Sequence, residues 1–386
     1  MKILFVINGN EKGGILTWLK DLSEGLIHKG YEIYFAASTK GESYNVLSAF
    51  GEVIIMPEVI GPYYPKNVAG ISIYSPVQLI RNRRKNKSNS KKISQIVDKY
   101  LIDRIIPVRF YLIPELKVNR HHVKIFCALH SVPGIDSTPF KIKSRLLAFN
   151  LDKADTIVAV GNIVKERLLK YTKKDIIVIP NGCSDFSVYK NKREEVKRNY
   201  KIPNNSICIG TLGRFSKQKG FKEVIQVFEK LAPTHSNLHC ILGGAPSTDK
   251  DNIYYQEVKE YAVSSKYSTR IHFLGNIDNI LFYPIIDLYL MITIESIESF
   301  GLVLIEAMSS GIPVIASGKG GPKDIISHEE NGYLVYDGRL EMFNHYCNQL
   351  LNNAENYQKI SIEGRKVYTK HYSLDTWVNN WINALE

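Results

Sequence analysis

The sequence has no long run of apolar residues. Its longest runs, such as ILFVI at positions 3 to 7 and GLVLIEAM at 301 to 308, are far shorter than the roughly 18 to 20 residues that cross a bilayer. The N-terminus carries one lysine and a short apolar run and then turns polar at NGNEKGG, so it lacks the apolar core of a signal peptide. We therefore expect no transmembrane helix and a cytoplasmic protein.

The sequence also has few cysteines, and none of them forms a C-x-x-C pair. The five are Cys127, Cys183, Cys208, Cys240 and Cys347. Three of them lie inside apolar runs that resemble strands, which argues against a disulfide framework or a thiolate metal site. We expect buried, reduced thiols.

Negative charge is in short supply, and internal repeats of 20 to 50 residues are absent. Lys and Arg outnumber Asp and Glu by 50 to 38, a formal net charge of +12. This excess favours an anionic partner such as a nucleic acid, an acidic membrane surface or a phosphorylated small molecule. The length of 386 residues suggests two domains.

Strand and helix patterns alternate along both halves of the chain. KILFVING, the helical run GILTWLKDLSEGLIHKG and the strand YEIYFAAS form a β-loop-α-β unit, which opens a doubly wound sheet. The second half begins with the strand ICIGTLGRF at 207 to 215 and alternates in the same way. We predict an α/β fold of two Rossmann-like domains across a cleft, with a boundary near residue 185.

The C-terminal stretch YSLDTWVNNWINALE is an amphipathic helix pattern. Trp377 and Trp381 are four residues apart and therefore share one helix face. We expect this helix to pack back across the domain junction. The predicted domains are thus 1–185, 186–368 and, as the returning helix, 369–386.

Two glutamates stand in an otherwise apolar stretch, TIESIESFGLVLIEAMSSGIPVIAS. Glu298 lies in a loop after a buried strand, where an open α/β sheet binds its ligands. Glu306 lies eight residues further on, about 12 Å along the following helix, so the two carboxylates could touch different parts of one extended ligand. Ligand hydroxyl groups such as those of a ribose would satisfy a buried Glu306. The alternatives are a helix-dipole partner for Glu298 and a structural hydrogen bond for Glu306.

Other polar residues follow predicted strands at the same edges. Arg214 and Lys219 flank a turn in GRFSKQKG, and two fixed cations could hold a diphosphate. Gly13 and Gly14 precede the first helix, and their spacing does not match the dinucleotide motif G-x-G-x-x-G. His130 follows the strand FCAL. Each residue taken alone could be a surface charge or a structural residue.

A possible metal motif is weak. Asp249 and Asp251 form D-x-D in the polar stretch STDKDN, away from the end of any apolar strand. We interpret it as a solvated turn and expect no metal and no other cofactor.

Together these stretches resemble the retaining GT-B glycosyltransferases of glycosyltransferase family 4. ESFGLVLIEAMSSGIPVIAS is similar to the paired-glutamate signature of that family. The supporting stretches, in chain order, are KGGILTW, HSVPG, VAVGN, IPNGC, GRFSKQKG, HFLGNI and GGPKDII. The resemblance covers nearly the whole chain.

The resemblance implies a role for each matching residue. Arg214 and Lys219 would bind the donor diphosphate, Glu306 the ribose hydroxyls and Glu298 the transferred sugar. His130 would lie close to that sugar. The remaining donor contacts would be Gly13, Gly14, Ile277, Ser299, Phe300, Gly301 and Leu302.

The implied activity is transfer of a sugar, with retention, from a nucleotide diphosphate sugar to a hydroxyl of a glycan or lipid-linked glycan acceptor. A UDP-sugar donor and a role in cell-surface polysaccharide synthesis are the favoured details. The departing phosphate oxygen would accept the acceptor's proton, so no metal is expected. Two alternatives stay open: a sugar-nucleotide 2-epimerase on a related fold, and a non-catalytic sugar-nucleotide-binding subunit.

A basic stretch, RNRRKNKSNSKK at 81 to 92, lies in the predicted acceptor domain. It is interpreted either as a solvated helix end and loop or as a contact with anionic lipid at the inner face of the membrane. Nucleic-acid binding is less favoured because no aromatic residues are interleaved with the charges. The cations in question are Arg81, Arg83, Arg84, Lys85 and Lys87.

Overall fold

The structure is a computed structural model that describes residues 1–59, 66–68, 71–73, 76–115, 123–131 and 142–386. The chain divides into two compact units. The N-terminal unit comprises Met1–Asn181 and Trp377–Glu386, and the C-terminal unit comprises Gly182–Thr376. Part of the HSVPG stretch, residues 132–134, lies outside the described residues.

The N-terminal unit is built on a parallel sheet. Its strands are β1 (Lys2–Ile7), β2 (Glu32–Ala37), β3 (Glu52–Ile55), a separate antiparallel pair β4 (Lys66–Val68) and β5 (Ile71–Ile73), then β6 (Arg104–Pro107), β7 (Lys124–Leu129), β8 (Thr156–Ala159) and β9 (Ile176–Val178). In the described part of the chain, the sheet order is β3-β2-β1-β6-β7-β8-β9, with parallel pairing throughout. The helices of this region are α1 (Gly14–His28), α2 (Glu42–Leu47), α3 (Pro76–Tyr100), α4 (Ile142–Leu151) and α5 (Asn162–Leu168).

The C-terminal unit repeats this plan. Its strands are β10 (Ile207–Leu212), β11 (Leu238–Gly243), β12 (Ile271–Gly275), β13 (Leu288–Met291), β14 (Val314–Ser317) and β15 (Tyr333–Val335), in the parallel order β12-β11-β10-β13-β14-β15. Its helices are α6 (Arg193–Asn199), α7 (Phe221–Leu231), α8 (Asp249–Ser264), α9 (Asn279–Phe282), α10 (Leu302–Ser309), α11 (Pro322–Ile325), α12 (Leu340–Asn352) and α13 (Ala354–Val367). The prediction of two doubly wound α/β sheets is confirmed.

Helix α14 (Leu374–Leu385) ends in the N-terminal unit. Trp377 and Trp381 are each 1% exposed. Their rings lie 6.1 and 5.5 Å from the ring of Trp18 in α1. Truncating a buried tryptophan to alanine costs about 3–5 kcal/mol, so this aromatic cluster is enough to hold the helix on the N-terminal unit.

The basic stretch differs from its predicted form. It lies wholly inside α3, so the interpretation as a helix end and loop is wrong. The helix continues because Arg, Lys and Ser are tolerated at helical positions and no Gly or Pro interrupts them. Among the described helices, none combines the length and the hydropathy that a membrane crossing requires.

All five cysteines are buried free thiols, as expected. Cys127, Cys240 and Cys347 lie in apolar surroundings, and burial raises the pKa of each thiol far above its usual value. These side chains therefore act as small apolar core residues.

Two histidines in the C-terminal unit make folding sensitive to acid. The ring nitrogens Nδ1 of His239 and Nε2 of His272 are 2.9 Å apart, so one donates to the other. Burial is the main cause that lowers the pKa of His239 to about 4, and electrostatic repulsion from His272, Arg270 and Lys197 adds to it. Burial lowers the pKa of His272 as well. Between pH 6.5 and 4 the unfolded chain binds protons that the folded chain rejects.

We predict that the free energy of unfolding is highest above pH 6.5 and falls as the pH decreases towards 4, by about 1–3 kcal/mol from His239 alone. Denaturant titrations across this range measure the effect. The double variant His239→Gln/His272→Gln should lose the part of the slope that these two rings contribute, while the buried His130, whose pKa is lowered to about 3, keeps its own part. His345→Gln, at an exposed position, should keep the full slope. An equal slope in all three proteins would contradict the assignment.

Candidate functional site

The strand order of the C-terminal sheet changes direction between β10 and β13. From β10 the chain proceeds outward through β11 and β12, then returns to the other side of β10 to add β13, β14 and β15. We call such a position a switch point. The loops that leave adjacent strands there diverge, which opens the crevice where open α/β sheets bind ligands. The turn after β10 and the segment after β13 therefore border this crevice.

These two loops are tied to each other by backbone contacts. Gly220, at the end of the turn after β10, has φ of +60°, and a Cβ there would lie 2.4 Å from the carbonyl oxygen of Ile292. Only glycine fits so close an approach. The N–H of Ile294 also donates to the carbonyl of Gln218 at 3.1 Å. The turn is thus held against the end of β13.

This arrangement brings Lys219 and Glu298 into direct contact. The Nζ of Lys219 donates to Oε2 of Glu298. The two side chains are 33% and 23% exposed. A solvated ion pair of this kind contributes only about 0–1 kcal/mol to stability, so either partner can exchange the other for a ligand at small cost.

Arg214 lies in the same turn and is paired more loosely. Its Nε is 3.9 Å from Oδ2 of Asp251, and the arginine side chain is 51% exposed. The interpretation of Asp249 and Asp251 as a solvated turn is wrong for Asp251, which is 8% exposed in the first turn of α8. The hydroxyl of Thr248 caps that helix by accepting from the N–H of Asp251. The hydroxyl of Ser247 donates to the Asp251 carboxylate at 3.1 Å.

The segment before α10 is fixed by a neighbouring glycine pair. The N–H of Gly321 donates to the carbonyl of Glu298 at 2.8 Å. A Cβ on Gly321 would lie 2.2 Å from the carbonyl oxygen of Phe300. Gly301, the N-cap of α10, has φ of +114°. The first N–H groups of a helix have no partner within the helix, so Phe300, Gly301 and Leu302 present a rigid N-terminus that favours anions. Ser299 lies in the same fixed segment.

Glu306 is buried inside α10, at 3% exposure. The hydroxyl of Tyr283 donates to Oε2 at 2.6 Å, and Nδ2 of Asn279 donates to Oε1 at 3.0 Å. Burial and the adjacent Glu306 carboxylate raise the pKa of Tyr283 well above its usual value. The structural hydrogen bond that the sequence left open is therefore present. A carboxylate oxygen accepts more than one hydrogen bond, so the predicted ribose contact would use the remaining capacity.

Ile277 is connected to Glu306 through Asn279. It follows β12 and is 7% exposed, with its N–H bonded to the carbonyl of Gly275 at 2.9 Å. Asp278 caps the short helix α9 that contains Asn279. The loop that carries Ile277 is therefore attached to the α10 helix by a side-chain hydrogen bond.

The site contains residues that sequence reasoning missed. The hydroxyl oxygens of Ser216 and Thr293 are enclosed at the switch point, and among the described residues neither has a hydrogen-bond partner. Asp251, Asn279 and Tyr283 were missed for another reason: each acts on a predicted residue through a contact between distant parts of the sequence. Only the polar character of Ser216, between Arg214 and Lys219, was a local signal.

Gly13, Gly14 and His130 belong to the N-terminal unit. The two glycines begin α1, and a Cβ at either position would meet no described atom within 4 Å. His130 follows β7, with its ring 4.5 Å from that of Trp18. Burial and, secondarily, the positive charge of Arg109 lower the pKa of His130 to about 3. Its imidazole is therefore neutral at physiological pH.

Among the described residues, no group of three or more His, Cys, Asp or Glu side chains is placed to hold a metal ion. The polar groups that converge on the C-terminal switch point are instead two cations, a carboxylate and a helix N-terminus. Two Rossmann-like units with such a site define the GT-B class of glycosyltransferases, which use nucleotide-sugar donors.

Comparison with known families identifies the group within that class. The model described as Glycosyltransferase Family 4 matches residues 12–185, and the model described as Glycosyl transferases group 1 matches residues 192–367. The chain therefore belongs to glycosyltransferase family 4, whose C-terminal half is described as glycosyl transferases group 1.

Similar proteins cover between two thirds and all of the chain. N-acetyl-alpha-D-glucosaminyl L-malate synthase of Bacillus anthracis is 23% identical over 94% of this chain and 90% of its own. The capsular polysaccharide biosynthesis glycosyltransferase CapM of Staphylococcus aureus is 23% identical over 69% of this chain and 67% of its own. The crystal structure of Anabaena Alr3699/HepE in complex with UDP has a TM-score of 0.80 at 17% identity and covers 100% of this chain and 99% of that chain.

The hydrogen bonds to Glu306 lead to a stability prediction. Tyr283→Phe removes one donor to a buried carboxylate and leaves the ring in place, so it should lower the free energy of unfolding by about 1–3 kcal/mol. Denaturant titration measures the change. Tyr346→Phe is the matched control, because that hydroxyl lies 3.4 Å from His328 and makes at most a weak bond. Equal stability of the Tyr283→Phe variant and the wild type would contradict this reading.

Proposed function

We propose that this glycosyltransferase moves a sugar from a nucleotide diphosphate sugar to a hydroxyl of a glycan or lipid-linked glycan acceptor, with retention of the anomeric configuration. A UDP-sugar is the favoured donor, and cell-surface polysaccharide synthesis is the favoured role. The relative named for capsular polysaccharide biosynthesis and the similar structure that contains UDP support these choices.

The observation that carries the proposal is the exchangeable ion pair of Lys219 and Glu298 beside the N-terminus of α10. A donor diphosphate would take Lys219 as its counter-ion and release Glu298 to accept hydrogen bonds from hydroxyls of the transferred sugar. Arg214, whose side chain is half exposed and lies 3.9 Å from the Asp251 carboxylate, would turn to the same phosphates. Glu306 would accept from the ribose hydroxyls.

In the proposed reaction the bond from the anomeric carbon to the phosphate oxygen breaks as the acceptor hydroxyl attacks the same face of the sugar. The departing phosphate oxygen takes the acceptor's proton. Arg214, Lys219 and the N–H groups at the start of α10 stabilise the negative charge that develops on the diphosphate. These positive groups would serve in place of a metal ion, so we propose a metal-independent reaction.

The proposed role of His130 is to hydrogen-bond the sugar rather than to move a proton. A group whose pKa is about 3 is a poor base at neutral pH, because catalytic groups work best near the operating pH. At Gly13 and Gly14 a Cβ would meet no atom of the described residues within 4 Å, and these glycines would allow the donor phosphate or the acceptor to come close.

Two other functions remain testable against this one. A sugar-nucleotide 2-epimerase would alter the donor sugar without any acceptor, which product analysis by NMR detects. A non-catalytic sugar-nucleotide-binding subunit would bind the donor without turnover. Slow hydrolysis of the donor, with the nucleotide diphosphate as product, would favour the transferase.

The proposed location is cytoplasmic and peripheral, at the inner face of the membrane. Arg81, Arg83, Arg84 and Lys87 are exposed on α3, while Lys85 is half-buried and donates to the carbonyl of Val59. Three apolar side chains are also exposed nearby: Val77 and Ile80 on α3 and Phe149 on α4, at 71%, 57% and 52%. Ile80 and Phe149 line a cavity of about 340 Å³ between these helices. Exposed apolar and basic side chains together suit an anionic bilayer.

For the active site, we predict that Lys219→Ala lowers the transfer rate at least tenfold, because it removes a cation that meets charge developing in the transition state. Glu306→Gln should weaken binding of the donor. Release of the nucleotide diphosphate and thermal-shift titration measure the two effects.

Lys217→Ala is the matched control, since Lys217 is an exposed cation in the same turn and has no assigned role. It should match the wild type in both assays. Unchanged turnover of Lys219→Ala together with unchanged donor binding by Glu306→Gln would overturn the site assignment.

For the membrane, we predict that the protein sediments with vesicles of phosphatidylglycerol and that added salt releases it. The variant Arg81→Gln/Arg84→Gln should bind about 30-fold more weakly, since each basic residue near an anionic surface contributes about 1 kcal/mol. Lys250→Gln/Lys259→Gln removes the same charge from exposed positions on α8 and should bind as the wild type does. Independence of anionic lipid or of salt would contradict the membrane proposal.

A further inference from the structure

The sheet of the N-terminal unit has a switch point of its own, between β1 and β6. The last residues paired between these strands are Val6 and Pro107. Continuing that register by two residues places Asn8 opposite Arg109, just beyond the carboxyl ends of the strands. His130 follows β7, the next strand in the sheet. Three polar side chains thus follow three neighbouring strands at the edge where such sheets bind ligands.

Several polar atoms at this edge are enclosed without partners. Within the part of the chain that the structure describes, none of the following has a hydrogen-bond partner: Oδ1 of Asn8, Nε1 of Trp18, Nε of Arg109 and Nε2 of His130. An unsatisfied buried polar group destabilises the folded state, and native proteins contain few of them. The indole N–H groups of Trp377 and Trp381, which pack on Trp18, are unpaired among the described residues as well, and His130 is assigned to the transferred sugar. The atoms that indicate a further ligand are therefore those of Asn8 and Arg109.

The orientation of Asn8 is fixed by the protein. Its Nδ2 donates to the hydroxyl of Tyr111 at 3.0 Å, which leaves Oδ1 as the free acceptor. A ligand hydroxyl is the complementary donor.

Arg109 carries a charge that no carboxylate in the described residues compensates. No ion pair among them includes it. The buried acid of the β1 loop, Glu11, accepts instead from the N–H groups of Asn8 and Gly9, at 2.6 and 2.9 Å, and from the hydroxyl of Ser43 at 2.8 Å. His130, the titratable neighbour, is neutral. Arg109 is half-buried, and its enclosed Nε has no partner among the described residues. A guanidinium in this position is a binding group for a carboxylate or a phosphate.

We infer that this N-terminal switch point binds an acceptor that carries an anionic group, a carboxylate or a phosphate, close to its hydroxyl groups. Arg109 is the counter-ion of that group and Asn8 accepts from a neighbouring hydroxyl. The inference rests on the proposed function, in which an acceptor hydroxyl attacks the donor sugar, and narrows the acceptor to an anionic class.

Tryptophan fluorescence can report on this edge directly. The chain has three tryptophans, and the rings of Trp377 and Trp381 lie within about 6 Å of the Trp18 ring. The full-length protein is titrated with sn-glycerol 3-phosphate, which carries hydroxyls and a phosphate, and with glycerol as the neutral probe. Vesicles of phosphatidylglycerol, compared with phosphatidylcholine, present the same chemistry on a lipid.

We expect saturable fluorescence changes with an anionic probe and none with glycerol at the same concentration. Saturation by sn-glycerol 3-phosphate would support a soluble acceptor. Because vesicles of phosphatidylglycerol can also bind the basic residues of α3, saturation by these vesicles alone would support a lipid-linked acceptor only where Arg109→Gln weakens it. Arg109→Gln should weaken the response at least tenfold, and Arg109→Lys, which keeps the charge, should retain part of it. Arg145→Gln, an exposed charge on α4, should behave as the wild type.

The inference is overturned if neither anionic probe saturates, or if Arg109→Gln and Arg145→Gln reduce the response equally. Thermal unfolding of each variant checks that it is folded. If Arg109→Gln does not fold, the partial loss of response expected for Arg109→Lys is the test. Donor binding and donor hydrolysis are measured on the same proteins. Their absence in the wild type would refute the proposed function, whereas anion binding independent of Arg109, beside intact hydrolysis, would refute only this inference.

Discussion

The contact between the turn after β10 and the segment after β13 determines the geometry of the candidate site. Gly220 allows the turn to approach the carbonyl of Ile292, and this approach places Lys219 against Glu298. The segment is held from its other side by Gly321, so the start of α10 cannot drift away from the ion pair. A cation, a carboxylate and a helix N-terminus are thereby fixed at one place, although they come from parts of the chain about 80 residues apart.

The two glutamates of the signature differ in how firmly they are held. Glu298 faces one flexible lysine in a partly solvated position, so its partner can be exchanged. Glu306 is buried and accepts hydrogen bonds from Tyr283 and Asn279, so its orientation is set before any ligand arrives. A donor would therefore meet one fixed and one adjustable carboxylate. This fits a site that recognises the constant nucleoside firmly and rearranges its contacts around the sugar that leaves.

The strands, the domain plan and the candidate residues followed from the sequence because they depend on local patterns. Apolar runs ended by Gly or polar residues predicted β1, β2, β10 and β14, and the carboxyl-end rule indicated Arg214 and Glu298. The strand order did not follow, since the alternation of strands and helices is the same for many orders. Without the strand order, neither the switch points nor the position of Arg109 beside one of them could be predicted. The prediction for Asp251 was wrong because helix α8 begins with polar residues, which resemble a turn. The prediction for the basic stretch was wrong because α3 continues through all of its charged residues.

The central claim is that a donor diphosphate competes with Glu298 for Lys219. Calorimetric titration with UDP, which has the phosphates and lacks the sugar, tests it most directly in wild type, Glu298→Gln, Lys219→Ala and the double variant. The account predicts that Glu298→Gln binds UDP more tightly than the wild type, and that this gain disappears when Lys219 is also replaced. Unchanged or weaker UDP binding by Glu298→Gln, or an equal gain without Lys219, would contradict it.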